Sequence, residues 1–187
     1  MRIIAGRFKG KSLTAPKGDI VRPTADRPKE ALFSILESCL MAGEKSWNDL
    51  TFLDVFAGSG SMGIEALSRG AALVTFIEVN PKSLASLRTN LPTEENVKII
   101  RTNALNPPMG VPQDIVFLDP PYAKDFPEKT LRALILKNWL DSNSLVIVEM
   151  DAREEYAFQG FEITQVRTYH RNKFVFLRKL SGKGEDE

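Results

Sequence analysis

The 187-residue chain holds one cysteine and one histidine, and each scarcity excludes a kind of chemistry. A single thiol, Cys39, rules out an internal disulfide and any multi-cysteine zinc site. Cys39 recurs with Leu32, Ile35, Leu36 and Leu40 at helical spacing, so a core position is expected for it. The lone histidine, His170, precedes Arg171-Asn172 in an expected hairpin turn, where an imidazole is solvated and not catalytic. Long apolar runs are missing too. No segment reaches transmembrane length, and the N-terminus carries no signal-type apolar stretch, which points to a cytoplasmic location without a membrane partner. Net charge is only +1, so the total gives no sign of a polyanionic partner.

The distribution of charge does. Residues 1–29 carry eight Lys/Arg (Arg2, Arg7, Lys9, Lys11, Lys17, Arg22, Arg27, Lys29) against Asp19 and Asp26, a net of +6 that leaves about −5 on the rest. A basic arm on a mildly acidic body is suited to a polyanion. The hydrophobic fraction of 43% is enough to bury one domain of this length.

Local pattern sets the architecture. Residues 2–5 and 11–14, separated by Gly6 and Gly10, predict a small β-hairpin. Thr24 or Asp26 can cap a helix that runs to about Ala42, with Pro28 in its first turn. From Thr51 strands and helices alternate. Strands are expected at Thr51–Phe56, Leu73–Glu78, Val97–Arg101, Asp114–Leu118 and Ser144–Glu149. Helices are expected at Ser61–Arg69, Pro81–Asn90 and Pro127–Asn138. Such alternation implies a mostly parallel sheet with helices on both faces. Phe161–Tyr169 and Lys173–Lys179 form a terminal antiparallel hairpin, and the polar tail 181–187 is expected to be disordered.

Two loops carry the chemistry. Asp54 to Gly63 joins the first strand to its helix, and Gly58, Gly60 and Gly63 satisfy G-x-G-x-x-G, with Glu78 ending the next strand. This is the signature of a dinucleotide site, glycines for a tight turn and an acid for ribose hydroxyls. A pyrophosphate, however, would meet the Asp54 carboxylate there instead of bare amides. S-adenosylmethionine suits the same loop better, because its cationic amino-acid end tolerates that acid. Asn103, in the turn after the third strand with Ala104 beside it, offers a donor and an acceptor to an adenine edge.

The second loop is Asp119-Pro120-Pro121-Tyr122, at the carboxyl edge of the fourth strand, where open α/β sheets bind ligands. Two prolines remove two donors and fix two φ angles, leaving a stiff loop with a carboxylate, free carbonyls and a ring. A planar amine needs those acceptors, and a nucleobase needs that ring. Hydride transfer has no use for them.

With DVFAGSGSMGIEALSRGA, Glu78 and LDPPY in this order, the chain resembles class I adenosylmethionine-dependent methyltransferases that modify exocyclic amines. RIIAGRFKGKSL followed by RPTADRPKEALFSIL resembles the opening of the RsmD family, bacterial enzymes that methylate the N2 amine of guanine 966 in 16S ribosomal RNA. The resemblance runs to about Leu180. It implies a Rossmann-like, mostly parallel seven-stranded sheet, with residues 1–45 as an RNA-contacting extension and 46–180 as the cofactor-binding domain. It implies S-adenosyl-L-methionine at Asp54, Gly58, Ser59, Gly60 and Glu78, and catalysis at Asp119 to Tyr122. Asn103 is the departure, since many relatives in the wider class have Asp there. Arg22, Thr24 and Arg27 would lie near the cofactor and RNA surfaces, with Arg2, Arg7, Lys9 and Lys11 gripping phosphates. The partner implied is 16S RNA, within a small-subunit assembly intermediate, for a monomer that needs no metal. The alternatives are a DNA adenine-N6 methyltransferase, for which 187 residues leave little room for a target-recognition domain, and a non-catalytic RNA-binding factor on the same scaffold.

Overall fold

A computed structural model describes residues 1–15, 26–93, 96–121 and 125–180. The order of elements is α1 (Asp26–Ala42), β1 (Thr51–Val55), α2 (Ser61–Arg69), β2 (Leu73–Glu78), α3 (Pro81–Asn90), β3 (Val97–Arg101), β4 (Ile115–Leu118), α4 (Phe126–Leu136), β5 (Leu145–Asp151), β6 (Phe161–Tyr169) and β7 (Asn172–Lys179). The seven strands are ordered β3-β2-β1-β4-β5-β7-β6. The pairings β1–β2, β2–β3 and β4–β5 are parallel, while β5–β7 and β6–β7 are antiparallel. The expected mostly parallel sheet with a terminal antiparallel hairpin is therefore what forms. The chain divides into two compact units, residues 1–104 and 105–187.

In the first unit the sheet is built from near-continuous apolar strands, the pattern of strands covered on both faces. Phe52, Leu53, Val55, Val74, Phe76 and Ile77 are buried. Gly63 explains how α2 lies close to the sheet, since a Cβ there would run into the Phe76 ring. In α1, Leu32, Phe33 and Leu36 are buried, and Phe33 packs on Trp47 and Phe52 at centroid separations of 5.7 and 6.3 Å. Cys39 is exposed, contrary to the core position its spacing predicts. The apolar stripe is real, but the helix outruns what it packs on. Leu40 is only half-buried and Met41 is 80% exposed in the same last turn.

The predicted N-terminal hairpin is also corrected. It is shorter than expected, one antiparallel bridge from Arg2 to Ser12, flanked by Ile3 N donating to the Lys11 carbonyl and Leu13 N to the Met1 carbonyl, both at 3.0 Å. Beyond the bridge, Ile4 N and Ala5 N donate to the Glu65 carboxylate in α2 at 2.8 and 3.0 Å. Arg7 N then donates to the Ser68 carbonyl and Phe8 N to the Ser68 hydroxyl. Gly6, at φ 78°, passes so close to that helix end that a Cβ would strike the Ser68 carbonyl. The arm thus satisfies groups at the open carboxyl end of α2.

Glu65 is fully buried and also faces Lys29 Nζ at 3.4 Å, itself fully buried, and Arg69 at 2.9 Å. Lys29, one of the eight cations counted in the arm, therefore faces the interior. Burial pulls its pKa down from the ordinary lysine value, and the Glu65 carboxylate works against that shift. Lys29 Nζ also donates to the Arg2 carbonyl at 2.6 Å, so one ammonium ties α1, α2 and the arm together.

In the second unit β4 is buried at all four positions, as are Val146, Ile147 and Val148 in β5 and Phe174 to Leu177 in β7. The edge strand β6 is mostly exposed. His170 turns between β6 and β7 at φ 52°, exposed as expected. Helix α4 ends at Leu136, before the expected Asn138, because Asn138 adopts φ 58° and closes the helix. Trp139 is buried, its Nε1 donating to the Pro108 carbonyl at 2.8 Å, and its ring covers Gly110. No helix among the described residues is long and apolar enough to cross a membrane, and none of them form a group of three metal-ligating side chains. The tail 181–187 and the capping residue Thr24 lie outside the described residues.

Lys29→Met leaves a buried carboxylate without its ammonium, a change that costs about 3–5 kcal/mol when a buried pair loses one partner. Urea denaturation should show a lower midpoint with an unchanged slope. A loss under about 1 kcal/mol, the size of an exposed pair, would show that the ion pair does not hold the arm.

Candidate active site

The glycine loop belongs to the first unit. After β1 the backbone turns through Phe56, Gly58 and Gly60 at φ 64°, 57° and 84° before α2 begins. Glycine meets the left-handed requirement without strain at Gly58 and Gly60. At Gly60 a Cβ would also collide with Leu87, whereas at Gly58 it would meet only the Phe56 carbonyl, at 3.9 Å. Gly58 therefore presents bare backbone to open space, the property a close-approaching ligand requires.

Two carboxylates hold this loop. Asp54, 2% exposed, accepts from Gly63 N at 2.8 Å, so it braces the first turn of α2. Burial raises its pKa to about 8, opposed by the Gly63 bond and assisted by the Glu78 charge. Glu78 accepts from Gly58 N through Oε2 and from Val79 N and Asn80 N through Oε1, each at 2.7 Å. A carboxylate has about four lone-pair sites, so three amides leave room for a hydroxyl donor. Thr102 N donates to the Glu78 carbonyl at 3.2 Å, which sets the turn carrying Asn103 beside the end of β2. Asn103 is exposed and Ala104 buried.

Ser59 is 4% exposed, and its carbonyl accepts from Asn90 Nδ2 at 3.0 Å. The same Asn90 amide exchanges hydrogen bonds with the backbone of Thr14, accepting from its N–H at 2.8 Å and donating to its carbonyl at 2.9 Å. Asn90 therefore couples the glycine loop to the basic arm. Nothing in its sequence context marks it beyond its place at the end of a helix. Val79, 55% exposed beside Glu78, is a second residue that patterning passes over, since a strand-flanking valine reads as core.

Of the arm cations, Arg2 is exposed and 3.3 Å from Asp26, and Arg7 lies over the Phe8 ring at 4.8 Å. Lys9 and Arg27 are exposed and Lys11 half-buried. Arg22 lies outside the described residues.

The second unit carries the other loop. Asp119 follows β4 and is exposed, Pro120 is buried and Pro121 exposed. The buried proline anchors the turn, and the acid stands out from it. Tyr122 lies outside the described residues.

The comparisons with known proteins follow this geometry. Residues 1–178 match the family model described as Conserved hypothetical protein 95. A protein of Escherichia coli K12 called Ribosomal RNA small subunit methyltransferase D is 37% identical over 81% of this chain and 75% of its own length. The chain belongs to the RsmD family. A protein of Rickettsia prowazekii called Uncharacterized methylase RP545 is 31% identical over 97% of this chain and 98% of its own. Among solved structures, the Escherichia coli protein yhhF, described as a methyltransferase, superposes with a TM-score of 0.80 at 32% identity. It covers 96% of this chain and 97% of its own. RsmD-family membership and this likeness establish a Rossmann-like methyltransferase fold and class.

Asp54 has a pH signature. Its folded-state pKa is raised from the ordinary 3.8, so the stability linked to its proton is complete below that value and is lost as pH rises through about 8. Melting temperatures of ligand-free Asp54→Asn and of the unsubstituted chain should therefore diverge in favour of the variant between about pH 5 and pH 9. A difference independent of pH would contradict a neutral buried carboxyl.

Proposed function

We propose that the chain transfers a methyl group from S-adenosylmethionine to the exocyclic N2 amine of a guanine in 16S ribosomal RNA, guanine 966 by family resemblance. The observation that carries the reading is an exposed acid followed by two prolines at the carboxyl end of a parallel strand. It stands in a chain whose Escherichia coli relative is called a ribosomal RNA small subunit methyltransferase.

The residues of the first unit fit the methyl donor by their chemistry. Gly58 offers open backbone, Glu78 a further acceptor site for ribose hydroxyls, and Asn103 with Ala104 an edge for adenine. The buried Asp54 carboxyl suits a cation, since a positive charge nearby would restore its ionised form. S-adenosylmethionine supplies an electrophilic methyl on a positively charged sulfur, so no metal is required.

The remaining work falls to the second loop. The guanine N2 lone pair is delocalised into the ring and is a poor nucleophile. Asp119 and the Pro120 carbonyl accept its hydrogens and favour a pyramidal nitrogen. As the new carbon–nitrogen bond forms, the nitrogen releases a proton, which the exposed Asp119 takes and passes to solvent. Orientation is the main gain, on the order of 7–11 kcal/mol for well-aligned groups. Tyr122 stacks on the target base, which is unpaired or flipped out, for roughly 1–3 kcal/mol.

The exposed arm cations contact phosphates of the RNA, in a subunit assembly intermediate, with the protein acting as a monomer. Such contacts supply affinity and not sequence choice. Each cation lost should lower the dependence of log affinity on log salt by roughly 0.7–0.9. Lys9→Ala with Lys11→Ala should therefore flatten that slope in RNA-binding titrations. A parallel, unflattened line would remove the arm from the interface.

The reaction itself is tested with labelled methyl donor and small subunits from cells lacking the protein, beside naked 16S RNA and DNA. Label in N2-methylguanosine is expected, and label on adenine of DNA would overturn the reading. Asp119→Ala should lose at least about 100-fold in turnover, the low end of a proton-handling group, while still binding donor. Loss of donor binding with unchanged turnover per bound donor would make Asp119 structural. Tyr122→Ala should be more impaired than Tyr122→Phe, because the ring is used and not the hydroxyl.

A further inference from the structure

Glu149 is a carboxylate that the proposed reaction leaves without a role. It is 5% exposed at the carboxyl end of β5. The parallel register of β4 and β5 runs from Ile115–Leu145 to Leu118–Val148, and the residues that come next are Asp119, just past β4, and Glu149, still on β5. Glu149 lines a cleft with Pro120, Pro121, Met150 and Tyr156, so a buried acceptor shares a pocket with the two prolines that follow Asp119. Its rotamer is fixed across the sheet. Glu149 pairs with Phe174 on β7, and two positions away Asn172 Nδ2 donates to Glu149 Oε1 at 2.5 Å.

A carboxylate is costly to bury even when it has partners, and the strand leading to Glu149 is apolar from Leu145 to Val148. In a pocket for a base it has a definite use. The edge of guanine presents N1–H and the N2 amine side by side, both donors. Adenine presents a lone pair at N1, which a carboxylate repels. Two neighbouring acceptors, one toward N2 and one toward N1–H, match guanine and reject bases with an unprotonated N1.

We propose that Glu149 is a specificity-determining residue that accepts the N1–H of the target guanine while Asp119 receives the amine. The inference rests on the methylation reading above. It names a recognition element for the base itself. A carboxylate has about four lone-pair sites, so it can accept from more than one donor at once. The half-buried Tyr156, which packs near Phe158 at 6.2 Å, forms the side wall of the cleft.

The probe is 2,6-diaminopurine, which keeps the N2 amine of guanine but has an unprotonated N1. Small subunits are assembled on 16S RNA carrying either guanine or this base at the methylated position. Single-turnover rates are measured for the unsubstituted protein and for Glu149→Gln. In the variant the Asn172 amide still finds an oxygen to bond, which turns the glutamine NH2 toward the base as a donor. The unsubstituted protein should prefer guanine by on the order of 10–100-fold. Glu149→Gln should lose rate on guanine and gain on 2,6-diaminopurine, shrinking or inverting that ratio. A fall in both rates by one factor, or no change, would overturn the role of Glu149, since a structural defect cannot reverse a preference. No label on guanine from the unsubstituted protein would instead overturn the reaction reading and this inference with it. Donor-induced stabilisation, measured on both proteins, reports that the variant is folded.

Discussion

The shape of the glycine loop depends on two acids that spend their oxygens on backbone amides. Asp54 braces Gly63 in the first turn of α2, and Glu78 gathers Gly58, Val79 and Asn80. Gly58 N and Gly63 N take their acceptors from these acids, so without them those amides would have to bond to water or the turn rearrange. The Glu78 carboxylate disfavours a pyrophosphate there, and the buried Asp54 carboxyl would ionise beside a cation. The acids that hold the backbone geometry thus also set the electrostatics of the loop.

The basic arm is attached by a comparable economy. Glu65 is buried in α2 and receives two arm amides, the Lys29 ammonium and the Arg69 guanidinium. Asn90 then joins Thr14 of the arm to the carbonyl of Ser59. The arm that carries the exposed cations is in this way bonded to the helix that starts at the glycine loop and to the loop itself. Removing arm charge without disturbing the glycine loop is thus possible only at cations that point outward, such as Lys9.

Much of this was legible in sequence, for reasons tied to particular residues. The apolar runs of β1, β2 and β4 are buried on both faces and leave little ambiguity, and Gly58, Gly60 and Gly63 mark a turn that few other residues could make. What was not legible is non-local. Lys29 looks like one more cation of a basic arm until Glu65, far along the chain, is placed against it. The arm amides of Ile4 and Ala5 find their acceptor in Glu65, about sixty residues further along the chain. Cys39 has the right spacing for a core face, but periodicity carries no information about where the partner surface ends. Glu149 reads as the last residue of a strand, and only register sets it next to Asp119.

The most direct test of the account is nucleoside mass spectrometry of 16S RNA from cells without this chain, complemented either with the unsubstituted protein or with Asp119→Ala. One N2-methylguanosine should be missing in the deletion, return with the unsubstituted protein and stay missing with the variant. An unaltered N2-methylguanosine content in the deletion would contradict it.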